Sequence, residues 1–193
     1  MTALPASSAT DHPVRWRFSV HDYQRMRESG ILQEDDRVEL IAGEVRPMSP
    51  IGPRHASVVK RLNVLLVRSL GAAAMVGVQD PIRLSNDTEP QPDLSVLRPR
   101  ADFYATALPT AADTLLVVEV ADSSLATDRA EKLPHYAAAG IAEAWLVDLV
   151  ADAVEQHSAP TPSGYSQARV LSRGAILNST VLPNLRLPIE DIL

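Results

Sequence analysis

The chain has 193 residues, enough for one domain with a sizeable core and few for two. Hydrophobic residues make up 46% and charged residues 22%, an ordinary balance for a soluble protein, and no apolar run approaches the roughly 20 residues that cross a bilayer. No cysteine is present and the net charge is −6, which sets aside a disulfide framework, a thiolate metal site, a thiol nucleophile and general coating of nucleic acid.

Residues 1–17 are rich in Ala, Ser, Thr and Pro and read as a flexible tail. Within it, residues 1–12 lack the basic start and apolar core of a secretory signal, so a cytoplasmic location is expected. Residues 18–193 read as a single domain. Ser19, with Asp22 three residues on, resembles a capping box opening a helix that Gly30 ends. Residues 37–41 and 44–48 flank Ala42-Gly43 as a two-residue hairpin. Beyond a Pro-rich segment, Val58, Val59, Leu62, Leu65, Leu66 and Leu70 recur at helical spacing up to Gly71.

Strands are predicted over residues 75–84, 92–97 and 115–120, the last apolar on both faces like a central strand covered by helices. Residues 125–139 are helical again. There Asp128 and Glu131 suggest a second capping box, Pro134 a kink or restart, and Gly140 the end. Strands follow over 144–149, 154–157 and 165–171, and residues 181–193 are expected to pack back on the body. The order predicts an α/β fold: a mixed central sheet flanked by helices, with an N-terminal helix plus hairpin and additional C-terminal strands. Charge is uneven along it. Residues 1–100 hold 13 Lys/Arg against 12 Asp/Glu, residues 101–193 hold 5 against 12, so any polyanion contact is expected in the first half.

Asp93 and Glu119 interrupt the apolar strands over 92–97 and 115–120. A carboxylate in a buried strand needs a partner charge, a metal or several hydrogen bonds. Two on neighbouring strands repel unless a cation lies between them. If these strands pair, both acids reach one sheet edge, and hard oxygen ligands suit Mg²⁺ or Mn²⁺. The plain alternatives are a turn role for Asp93 and an arginine partner for Glu119. Lys132 falls on the following helix, where its ammonium could orient an attacking water and offset charge on a pentavalent phosphate. Its plain alternative is a solvated i,i+4 pair with Asp128.

Glu39 is the candidate third acid; it faces Arg46 in the expected hairpin, so a cross-strand ion pair is its plain alternative. His55 lies on the apolar stripe of the long helix as a core or capping residue, with an accessory role at a phosphate as the sharper reading. Asp122-Ser123-Ser124 reads as a helix cap, with its amides facing a phosphate as the alternative. Arg54, Arg61 and Arg68, joined by Lys60, form a polar stripe that is either solvated or in contact with a DNA backbone.

Taken together, Val38-Glu39-Leu40-Ile41-Ala42-Gly43-Glu44, Met48-Ser49-Pro50, His55, Glu89-Pro90-Gln91-Pro92-Asp93, Val118-Glu119-Val120-Ala121-Asp122-Ser123-Ser124, Asp128-Arg129, Lys132, Tyr136, Gly140-Ile141 and Trp145-Leu146-Val147-Asp148 resemble the Uma-two family of restriction endonucleases, part of the PD-(D/E)XK superfamily. The resemblance spans roughly residues 18–190. It implies a restriction-endonuclease-like fold and Mg²⁺-dependent (or Mn²⁺-dependent) hydrolysis of DNA phosphodiester bonds. It also implies a metal held by Asp93 and Glu119 with the Val120 backbone carbonyl, and an accessory contact from Glu39. The superfamily's lysine stands two residues after the second acid; here that position is Ala121, and Lys132 is the expected replacement. A homodimer would cut both strands. The competing expectation is a weak or inactive nuclease-fold module for protein binding or assembly, suggested by the acidic second half and the displaced lysine. A third is hydrolysis of another phosphoester.

Overall fold

A computed structural model describes residues 15–122 and 124–193; most of the expected tail, and Ser123 of the expected cap, lie outside the described residues. Helix α1 (Val20–Glu28) opens as its sequence predicts. The Ser19 hydroxyl accepts the Asp22 N–H at 3.1 Å and the Asp22 carboxylate accepts the Ser19 N–H at 3.0 Å, closing the capping box in both directions. Strands β1 (Val38–Ile41) and β2 (Glu44–Pro47) pair antiparallel around Ala42 and Gly43, at φ 50° and 76°. Positive φ at both central residues marks the tight hairpin turn whose twist suits its strands. A Cβ on Gly43 would meet Arg17 Cβ at 2.7 Å, so the incoming chain can cross the turn only over a glycine. Val20, Tyr23 and Leu40 bury the contact between α1 and the hairpin.

The main sheet runs β3 (Met75–Val78), β4 (Leu94–Leu97), β5 (Thr114–Ala121), β6 (Glu143–Asp148), β7 (Ala153–Thr161) and β8 (Gly164–Ser172) in spatial order. Only β5 and β6 are parallel neighbours. Their crossover carries α3 (Leu125–Thr127), a π turn (Asp128–Lys132) and α4 (Leu133–Ala138), because parallel strands cannot be joined by a hairpin. Helix α2 (Pro53–Leu70) covers the opposite face. Its Val58, Leu62 and Leu66 pack with Leu116, Val118 and Val120 of β5 and Trp145 of β6. Val117, Ala121 and Leu146 point to the α4 side, against Leu133, Tyr136 and Ile141. Strand period two therefore assigns Glu119 to the α4 face with Val117 and Ala121.

The C-terminal segment packs back as expected. Strands β9 (Ile176–Asn178) and β10 (Arg186–Pro188) pair antiparallel, and α5 (Ile189–Ile192) follows. Leu177, Leu187, Ile189 and Ile192 join the core on the α2 side. The expected α/β architecture, a mixed sheet flanked by helices, is the one found. No helix among the described residues is long and apolar enough to cross a membrane.

Three local expectations fail. The strand expected over 75–84 stops at Val78, because Gln79 turns to φ 56° and Pro81 has no N–H for a ladder. Asp128 and Glu131 form no capping box. Asp128 lies inside a continuous helical segment, and its carbonyl accepts the Leu133 N–H in an i→i+5 bond. Ser124, the N-cap of α3, makes no capping bond; its hydroxyl goes to Asp128 Oδ2 at 2.5 Å. Pro134 sits in the first turn of α4, directly after the π turn, and the helical segment continues through it.

Candidate active site

Strands β4 and β5 pair in the sense the two acids require. Leu94 opposes Val118, so Asp93 enters β4 one step beyond that pair, beside Glu119. Glu39, His55, Asp93, Glu119, Val120 and Lys132 all line one cavity of about 120 Å³, together with Asp128. They come from β1, the first turn of α2, the entry to β4, the end of β5 and the crossover helix.

Asp93 is held on both oxygens. Oδ2 accepts the Val120 backbone N–H at 2.9 Å and lies 3.0 Å from His55 Nε2, while Oδ1 accepts from Gln79 Nε2 at 3.1 Å. Burial works to raise its pKa, but the hydrogen bond and charge of His55, with the Val120 and Gln79 donors, hold the carboxyl below its ordinary value. The same bond raises His55 against the burial that opposes its charged form. His55 is therefore a partner of Asp93 and not a core or capping residue; its Nδ1 is buried without a hydrogen bond among the described residues. Asp93 is more than a turn former.

Glu119 has no arginine partner among the described residues. Its Oε1 accepts from the Tyr136 hydroxyl at 2.6 Å and lies 3.3 Å from Lys132 Nζ. Lys132 also reaches Glu39 at 3.1 Å and Asp128 at 3.8 Å. The i,i+4 contact with Asp128 thus exists, but the lysine is buried, not solvated. The plain alternative for Glu39, an ion pair with Arg46, does not form although the two are register partners. Arg46 turns to Glu44 at 2.7 Å and Glu131 at 3.7 Å, and Glu39 takes Lys132 and the Gln91 N–H at 3.0 Å. Two buried partners outcompete one solvated guanidinium.

One ammonium does not neutralise this set. Burial drives Glu119 well above the ordinary carboxylate value; Lys132 opposes the rise, and Asp128, Asp93 and Glu39 add to it. Asp128 is raised chiefly by burial too, against Lys132 and Ser124. For Lys132 the pull of Glu119, Glu39 and Asp128 overcomes burial, raising its pKa and keeping it charged. The cavity therefore holds more carboxyl groups than cations, and their hard oxygen atoms are donor chemistry that fits Mg²⁺ or Mn²⁺. Among the described residues, no three His, Asp or Glu side chains make a closed cage, and Mg²⁺, which keeps several waters, does not call for one.

Three residues of this site were not singled out for it from the sequence. Asp128 was read as a cap or as a solvated i,i+4 partner of Lys132, although Lys132 and Tyr136, four and eight residues on, continue one helical face. Tyr136 is fully buried against Glu119. Gln79 owes its place to a left-handed backbone at the end of β3, which no local pattern announces. In the arginine stripe, Arg54 pairs with Asp152 at 2.5 Å and Arg61 donates to the Ile192 carbonyl at 3.2 Å; Lys60 and Arg68 are exposed.

The Uma2 family model, described as "Putative restriction endonuclease", matches residues 20–190. Among solved structures, one described as a "putative nuclease" of the DUF820 family from Anabaena variabilis superposes with a TM-score of 0.71. It is 18% identical, and the match covers 86% of this chain and 94% of that one. No curated protein matches the chain.

Proposed function

The chain belongs to the Uma2 family, and from that premise we propose that its domain over residues 18–193 is a metal-dependent endonuclease that hydrolyses DNA phosphodiester bonds. The observation that carries the reading is the convergence of Asp93, Glu119 and Lys132 on one cavity with more acid than base.

In this reading Asp93 and Glu119 hold Mg²⁺ or Mn²⁺, with the Val120 carbonyl as a further oxygen. When bound, the ion supplies acidity to a water and positive charge against phosphate oxygens. Lys132 stays protonated and sets its ammonium against the charge that builds on the phosphate as water attacks phosphorus. Glu39 spans Lys132 and the Gln91 amide, fixing the lysine relative to the chain that enters β4. His55 holds Asp93 through Nε2, which fixes that carboxylate at the mouth of β4. Two copies would cut both strands of a duplex.

The test is incubation with supercoiled plasmid and with single-stranded DNA in Mg²⁺, Mn²⁺ or EDTA. Cleavage is expected with either metal and not in EDTA. Asp93→Asn should be slower by more than about a hundredfold, the loss that even an outer partner of a metal ligand can cause. Cleavage that persists in both EDTA and Asp93→Asn overturns the proposal. One observation favours a non-catalytic module for protein binding or assembly: Lys132 is already engaged by three carboxylates. That reading expects neither cleavage nor Mn²⁺ binding.

A further inference from the structure

The two oxygens of Glu119 have different surroundings. Oε1 takes the Tyr136 hydroxyl at 2.6 Å and faces Lys132 at 3.3 Å. Oε2 takes no hydrogen bond from the described residues. Glu119 lines the cavity, and the polar side-chain atoms sealed without a partner among the described residues, Arg46 Nε, His55 Nδ1 and Ser95 Oγ, do not include its Oε2. Tyr136 has no exposure of its own, and Leu133 and Ile141 pack in the same cluster. Its hydroxyl is the tip of a fixed ring, and a buried hydroxyl without a partner would be costly. Glu119 is thus pinned at one oxygen and takes no donor from the described residues at the other.

We infer that Tyr136 is a positioning residue for this site: it pins Oε1 of Glu119 and thereby presents Oε2, alone, to a divalent cation. This rests on the metal-dependent reading above and adds to it a one-oxygen attachment at Glu119 and a residue that enforces it. The geometry also gives Lys132 its place. With Oε1 fixed toward α4, the ammonium shares that oxygen with Tyr136 and does not compete for the other.

Tyr136→Phe removes the hydroxyl and keeps the ring, so the core is retained. Titration with Mn²⁺ by calorimetry should show affinity lower by roughly ten- to hundredfold, as for other outer partners of metal ligands. Tyr165→Phe serves as the control, because it loses a comparable bond, to the Ile141 carbonyl at 2.9 Å, away from the cavity; it should bind Mn²⁺ like the parent. In cleavage assays Tyr136→Phe should lower kcat and leave KM for DNA unchanged. Parent-like or tighter Mn²⁺ binding by Tyr136→Phe overturns the inference while leaving the nuclease reading intact. No Mn²⁺ binding by the parent chain overturns both. If Tyr136→Phe melts below the assay temperature, a Mn²⁺-soaked crystal of the parent decides. Metal on one Glu119 oxygen with Tyr136 on the other supports the inference, and metal on both oxygens overturns it.

Discussion

Two buried glutamates stand on adjacent parallel strands and do opposite things. Glu143, at the start of β6, is fully buried and surrounded by neutral donors. Oε1 accepts from Trp145 Nε1 at 2.7 Å and Gln156 Nε2 at 2.5 Å. Oε2 accepts from the Ser179 hydroxyl, the Thr180 N–H and hydroxyl, and the Val181 N–H, at 2.7 to 3.2 Å. Glu119, at the end of β5, shares one lysine with Glu39 and Asp128 and has an oxygen with no donor among the described residues. A carboxylate saturated by fixed dipoles needs no ion and fastens the C-terminal segment to the sheet. A carboxylate left short of donors among like charges is a place for a cation.

The largest expected effect lies on the saturated side. Glu143→Ala strands several buried donors and frees residues 179–181, so it should cost about 3–5 kcal/mol, roughly a 10 °C drop in Tm. Mn²⁺ should not restore it. Lys132→Met comes next: in EDTA at neutral pH it leaves the acids of the cavity without their ammonium and should cost about 3 kcal/mol. Thermal melts should show Mn²⁺ recovering part of that loss, because an ion that binds only the folded state stabilises it.

A third effect has the opposite sign. The folded-state pKa of Glu119 is raised, so its stabilising contribution is complete below its unfolded pKa and is lost as pH rises through the folded value. In EDTA at neutral pH, Glu119→Gln should therefore raise stability by about 1 kcal/mol, with the gain vanishing in acid. A loss of stability at neutral pH would break the contrast with Glu143. The smallest effect is expected at Arg54, an exposed partner of Asp152. Arg54→Ala should change stability by less than about 0.5 kcal/mol.

Glu119 was legible because its neighbours in β5 are aliphatic, and a charge in such a run needs a reason. Glu143 was not, since it lies between two alanines at the head of its strand and the partners of its Oε2 lie 36 to 38 residues further on. The hairpin, α1 and α2 were legible for local reasons: turn chemistry, a capping box and a periodic apolar face. The end of β3 and the place of Gln79 were not, because a left-handed residue without glycine follows from tertiary contacts. Glu39 shows the limit most directly. Its register opposite Arg46 was correct, but the helix that packs over the hairpin supplied a buried partner that strand pairing alone could not foresee.

The central claim is that the cavity bounded by Asp93 and Glu119 is short of positive charge and takes a divalent ion. Calorimetric titration of Mn²⁺ into the parent chain and into Glu119→Gln tests it most directly. The account predicts one binding event in the parent and none in the variant, both remaining folded. Equal binding by the two would place the ion elsewhere and contradict the claim.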